Sequence, residues 1–264
     1  MVSRSRAQHF CNRMTTAAQA ARGTVDLTDP LDGRAHIVSS RIAARLAGAL
    51  FLFVIVSVLV ASALQGEAGG DAAETLRAVS DRTLPYRASI VALLVATVAS
   101  LALGATLYAV TRRQDENLAM LALVCRVAEA GPYVVQIVGA LALLSLSRSL
   151  GATELTLAAL AADAVSWGVN IGATLFAVSS AVFAYLLLRA RAIPMFLSVT
   201  GLVASLILVV AVPVETAAGA TTAEGMSILL WLPMFVFEIG AGFWLVFKGA
   251  RIAPATPEAV PNRG

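Results

Sequence analysis

Residues 46–66 read LAGALFLFVIVSVLVASALQG, an uncharged run of 21 residues held between Arg45 and Glu67. At about 1.5 Å of rise per residue, such a run in helical form covers about 30 Å, the thickness of bilayer hydrocarbon. Five further stretches are as long: 88–111, 117–147, 164–188, 192–214 and 225–247. Only two of the six carry charges in their interior, Arg126 and Glu129 in the third and Glu238 in the last. Outer-membrane barrels alternate apolar and polar residues in short segments, and nothing here alternates. The expectation is an all-α polytopic membrane protein, a bundle of six transmembrane helices.

Composition agrees. The chain has 264 residues, 59% hydrophobic and 13% charged, with mean hydropathy +0.83. Soluble domains sit near roughly 45–50% apolar and about 25% charged, so an ordinary soluble domain and a disordered chain are both excluded. Two cysteines, Cys11 and Cys125, exclude a disulfide scaffold, and no disulfide is expected. Loop charges set the orientation. One side collects Arg4, Arg6, Arg13, Arg22, Arg34, Arg41, Arg45, Arg112, Arg113, Arg189, Arg191, Lys248, Arg251 and Arg263. The other side has Arg77, Arg82, Arg87 and Arg148, among Glu67, Asp71, Glu74, Asp81, Glu154, Asp163, Glu215 and Glu224. Both termini are therefore expected in the cytoplasm. Topology accounts for the basic balance, and no nucleic-acid partner is implied. With 18 Arg to one Lys and abundant Ala and Val, the expected home is a bacterial inner membrane. The lipid bilayer is the one expected partner, and any partner subunit is left open.

The sequence divides into an Arg-rich tail over 1–40, a membrane domain over 41–251 and a short tail over 252–264. Both tails are expected to be disordered and cytoplasmic. The basic segment before the first span is too long for a secretory signal, so that span is expected to be an uncleaved anchor; Met14 is an alternative start. Both histidines, His9 and His36, fall in the first tail, which leaves no histidine for a metal or proton site in the bundle. No metal or cofactor is expected. The loop 71–84 reads as a short helix, with Asp71 and Glu74 in a capping pattern and Glu74 one turn from Arg77. Pro85 is expected to end it, and the helix to rest on the membrane surface, with a lid as the sharper alternative. Trp231, Trp244, Tyr86, Tyr108 and Tyr185 lie near helix ends, where an interfacial belt is expected.

The intramembrane charges are the candidate site. An ionised group at mid-bilayer costs about 2.5–3.5 kcal/mol on insertion scales, so such groups face the bundle interior and pair. Arg126 and Glu129 share one face of the third helix, and Tyr133 and Gln136 continue it within about 80°. Pro132 should kink the helix inside this stripe. Arg126 lies ten residues from Glu116 and Glu238 ten from Lys248, so both stand ~15 Å from the same edge. That matched depth predicts Arg126 beside Glu238, with Glu129 in reach of both. The three carry a net charge of −1 if both carboxyls are ionised, and none if one keeps a proton. The leading expectation is a non-enzymatic structural, sensory or accessory module in which the three charges form a structural clamp. The alternative is a small proton-coupled transporter or solute-binding membrane protein that uses them, and an enzyme site is the remaining reading. The last lacks an evident nucleophile, and no catalytic residue is assigned.

A second polar stripe, Asp163, Ser166, Asn170 and Thr174, runs along the fourth helix, beside a Gly168-x-x-x-Gly172 pair that permits close helix approach. Zinc, phosphate-loop, nucleophile-elbow and dinucleotide motifs are absent. The third and sixth helices share Glu-x-Gly followed by an aromatic, Glu129-Ala-Gly131-Pro-Tyr133 and Glu238-Ile-Gly240-Ala-Gly-Phe243, a trace of an inverted repeat.

From Arg41 to Arg251 the chain resembles the bacterial membrane family called domain of unknown function 4386. The likeness rests on Arg41-Ile-Ala-Ala-Arg-Leu-Ala-Gly48, Tyr86-Arg87, Asn117-Leu-Ala, Arg126-Val-Ala-Glu129-Ala, Tyr185-Leu-Leu-Leu-Arg189, Ile193-Pro194, and Glu238 with Trp244-Leu-Val-Phe-Lys248-Gly249. It implies a six-helix integral membrane protein and brings no catalytic residue with it. Two departures stand out: the second helix, Ala88-Ser-Ile-Val-Ala-Leu-Leu-Val, lacks an acidic residue, and Phe176-Ala177 replaces a Phe-Gly pair.

Overall fold

The computed structural model describes residues 30–66, 71–149, 151–218 and 224–250. Contacts divide the chain into two units, 1–39 and 40–264. Of the first unit, the described residues 30–39 are helical, where irregular chain is the expectation. Pro30 is the first helical residue, a position at which its missing N–H removes no helix hydrogen bond. The rest of the first tail, with Cys11 and His9, and the tail 252–264 lie outside the described residues.

All regular structure among the described residues is helical: α1 Pro30–Gln65, α2 Ala72–Asp81, α3 Thr83–Thr111, α4 Glu116–Ala128, α5 Ala130–Leu146, α6 Ala152–Arg189, α7 Met195–Ala218 and α8 Glu224–Lys248. Six helical stretches are long and apolar enough to cross a membrane: Ile42–Gln65, Thr83–Thr111, Glu116–Leu146, Ala152–Arg189, Met195–Ala217 and Leu229–Lys248. These are the six spans read from the sequence, several with longer ends. Val56, Val91, Val98, Val138, Leu160 and Val210 are each more than half exposed, an apolar jacket that only lipid would cover.

Inside the bundle, small residues set the spacing. Ala44, Ala47, Ala122, Ala177, Ala184 and Ala241 have no exposed surface, which lets neighbouring backbones come close where hydrocarbon offers no hydrophobic drive. The long α6 is central and packs against α4, α5 and α7. α1 crosses α8 at Gly48, where an added Cβ would lie 2.6 Å from the Gly242 carbonyl oxygen. The expected Gly168/Gly172 approach is made by α5: Cβ atoms there would lie 2.6 Å from the Pro132 carbonyl oxygen and 2.5 Å from Tyr133 Cε1.

Two expectations about the 71–84 segment are corrected. Asp71 does cap α2, its carboxylate accepting from the Glu74 N–H at 2.8 Å. The helix, however, is wedged into the bundle end rather than resting on a surface. Leu76 packs with Leu143, Ala158 and Ala161, and Val79 with Tyr86, Ile90, Ile137 and Ala140. Nor does Pro85 end it: α2 stops at Asp81, and Pro85 sits in the first turn of α3, where helix N–H groups have no intrahelical partner to lose. Asp71→Ala should cost about 1 kcal/mol by loss of the cap, read as a lowered midpoint of thermal unfolding in detergent. An unchanged midpoint would show α2 held by its apolar contacts alone.

The aromatic belt also needs correction. Tyr86 is buried in the cluster just named, and Trp231 faces an internal cavity. Their places near helix ends look interfacial in sequence, but the turn of the helix points both rings inward. Tyr185 is exposed as a belt residue would be.

Candidate functional site

The third span is broken where its charges lie. Pro132 has no N–H to offer the Ala128 carbonyl four residues back, and α4 ends at Ala128. Glu129 forms the joint between α4 and α5. The interruption falls one turn before Pro132, the residue expected to kink the helix, on the carboxylate residue itself.

Arg126 is 2% exposed and Glu129 as little. Arg126 Nη1 meets Glu129 Oε2 at 3.1 Å, the i,i+3 pair expected from their spacing. Ser100 of α3 donates to Glu129 Oε1 at 3.3 Å and accepts from Arg126 Nη1 at 3.4 Å. Ser180 of α6 accepts from Arg126 Nη2 at 3.2 Å. The guanidinium carbon lies 4.9 Å from the centre of the Phe176 ring, a cation–π contact. Gly104 makes room for the arginine stem: a Cβ there would stand 2.6 Å from Arg126 Cγ. Ser179 ties the frame with a hydrogen bond to the Ala122 carbonyl at 2.9 Å. Three spans thus converge on one guanidinium.

Glu238 takes no part in this network. It is 8% exposed and lies within electrostatic range of Arg126 and Glu129. Among the described residues it makes no ion pair and no hydrogen bond, and Arg126 is taken by Glu129 instead. Arg126 and Glu238 stand within electrostatic range of each other, as their matched depth predicts, but among the described residues they form no ion pair. Matched depth placed the two at one level, but depth says nothing of direction across the bundle. A residue three positions away on the same helix needs no tertiary approach to reach the guanidinium.

Glu238 lines a cavity of about 360 Å³ instead, together with Glu129, Tyr133 and Gln136. α1, α3, α5, α6 and α8 all contribute to its wall, including Ser62, Gln65, Thr97, Ser100, Phe176 and Trp231. By helix rise, Glu238 stands ~15 Å from Lys248, and Gln65 stands ~30 Å from Arg45. The cavity therefore runs from the middle of the bundle toward the end opposite the arginine-rich one. The Tyr133 hydroxyl comes up to the Glu129 carboxylate. Phe176 and Trp231 lie against each other, with ring centres 6.0 Å apart.

The polar stripe of α6 is not joined to this site. Asp163 is exposed, and Asn170 and Thr174 are half-buried, Thr174 donating to the Asn170 carbonyl at 2.9 Å. Val169, Ala173 and Phe176 present the cavity face of α6, about 100° around the helix from that stripe. The shared Glu-x-Gly-aromatic segments do not correspond either: Tyr133 lines the cavity and Phe243 is half exposed on the outside. Ser100, Ser180, Phe176 and Trp231 were missed by sequence reasoning, because single serines and aromatics in apolar helices carry no spacing signal. Among the described residues no group of His, Cys, Asp and Glu could hold a metal ion.

The family model described as Domain of unknown function (DUF4386) matches residues 46–249. No curated protein and no solved structure matches the chain.

Proposed function

The chain belongs to the DUF4386 family, and from the geometry above we propose that it binds a small polar solute or a proton inside the membrane, as a carrier or sensor. One observation carries this reading: a buried carboxylate, Glu238, without a hydrogen bond or ion pair among the described residues, on the wall of a cavity of about 360 Å³. Small-molecule sites are concave, largely apolar and carry a few convergent polar groups, and this volume lies at the lower end of their range. An intramembrane carboxylate is costly, so one that no side chain satisfies points to a transient partner.

The roles divide within the charged group. Arg126, Glu129, Ser100 and Ser180 are joined by hydrogen bonds through both terminal guanidinium nitrogens, with Arg126 Nε left without a partner among the described residues. They hold α3, α4 and α6 in register as a structural clamp. Glu238 is the working group. The proposed setting is a bacterial inner membrane with the arginine-rich end in the cytoplasm, so that the cavity opens toward the exterior.

Cysteine accessibility tests this. In a background with Cys11→Ser and Cys125→Ser, the Thr97→Cys variant should react with methyl methanethiosulfonate, a small neutral reagent. An exposed site on α2, Ser80→Cys, should react with a membrane-impermeant maleimide added to intact cells. An inert thiol in the Thr97→Cys variant would mean a closed and dry interior, which leaves only the structural role. Labelling of the Ser80→Cys variant in inverted vesicles alone would reverse the orientation.

A further inference from the structure

We infer that the occupant of this cavity is a small organic cation, an amine with an apolar or aromatic body. This deepens the solute-binding reading and rests on it.

Charge is the first reason. The Glu129 carboxylate is matched by Arg126 at 3.1 Å, whereas among the described residues Glu238 has no matching cation within reach of an ion pair. Among the described residues no lysine, arginine or histidine lines the cavity. An anion would meet Glu238 with no cation on the wall to hold it. A neutral solute would leave the carboxylate buried and unmatched. A single positive charge beside Glu238 neutralises the whole group.

Hydrogen-bonding polarity agrees. The Thr97 hydroxyl donates to its own helix, at the Leu93 carbonyl, and the Ser100 hydroxyl donates to Glu129. Both hydroxyl protons are therefore committed within the protein, and the Ser100 oxygen also accepts from Arg126. Carboxylates accept only. Ser62, Gln65, Gln136 and Trp231 elsewhere on the wall can donate, but the carboxylate at Glu238 can only accept, and an ammonium supplies the donor it needs.

The aromatic lining selects the class of cation. Tyr133, Phe176, Trp231 and Phe235 all border the space, and aromatic faces attract ammonium groups, Trp most strongly. A bare metal ion would need several oxygen ligands around it, and the cavity supplies one free carboxylate in a volume far larger than an ion. Aromatic walls around a single carboxylate fit an amine whose charge sits at Glu238 and whose body extends toward Trp231.

Protection of the Thr97→Cys variant tests the class. Benzylamine, phenethylamine, benzyl alcohol and benzoate would be compared for slowing its reaction with methyl methanethiosulfonate. At equal concentration the amines should slow the reaction about tenfold more than the alcohol, the scale of one desolvated cation contact. Adding Glu238→Gln should erase that difference, and Glu238→Asp should keep most of it. Unprotected reaction rates in both variants serve as the check that the fold is intact. Equal protection by the alcohol, protection by benzoate, or none by either amine overturns the cation inference while the cavity stands as a solute site. A thiol that does not react at all overturns the solute-binding reading beneath it.

Discussion

Arg126→Leu should lower the stability of the detergent-solubilised protein by about 3–5 kcal/mol, the range seen when one partner of a buried ion pair is removed. The substitution leaves Glu129 ionised or forced to take a proton at 2% exposure. It also leaves Ser180 without its partner, while Ser100 keeps its bond to Glu129. Adding Glu129→Leu removes the stranded carboxylate, so the double variant should recover a large part of the loss. A double-mutant cycle separates this from the alternative pairing. Coupling between Arg126 and Glu129 should exceed that between Arg126 and Glu238, because only the first pair is in contact. A larger coupling to Glu238 would overturn the division of the charged group into a clamp and a working carboxylate. The readout is thermal or denaturant unfolding of wild type, the three single variants and the two doubles.

Gly168→Ala should cost about 1–3 kcal/mol for an overpacked contact. The new methyl would stand 2.6 Å from the Pro132 carbonyl oxygen and 2.7 Å from the Gln136 nitrogen. Both are backbone atoms of α5, so no side-chain rotation relieves the clash and the two helices must separate. That separation also displaces Tyr133 and Gln136 from the cavity wall, so protection by amines should weaken along with stability. Gly131→Ala is the matched control, since nothing lies within 4 Å of a Cβ there. It should be neutral or stabilising by up to about 1 kcal/mol, because alanine loses less backbone freedom than glycine in a helix. If Gly168→Ala unfolds no more readily than Gly131→Ala, the close α5–α6 crossing is not where the structure places it.

The six spans were legible in the sequence because lipid imposes a one-dimensional rule: about 20 apolar residues, read without knowledge of neighbours. The break in the third span, the cap on α2 and the Arg126–Glu129 pair were legible for a related reason. Each is set within one or two helical turns, by a missing N–H at Pro132, by the Asp71 carboxylate, or by i,i+3 spacing. The Gly168/Gly172 approach belongs to the same class, although its partner did not, since nothing in α6 says that α5 is the helix received. Tertiary structure alone decided the direction in which each side chain faces across the bundle. Depth placed Arg126 and Glu238 at one level, and only the packing of α3, α6 and α8 turned the arginine toward Glu129, Ser100 and Ser180 and left Glu238 on the cavity wall. Tyr86 and Trp231 went inward for the same reason. Helix rise is fixed locally by backbone hydrogen bonds, but rotation about the helix axis is fixed by neighbours, and the candidate site depends on rotation.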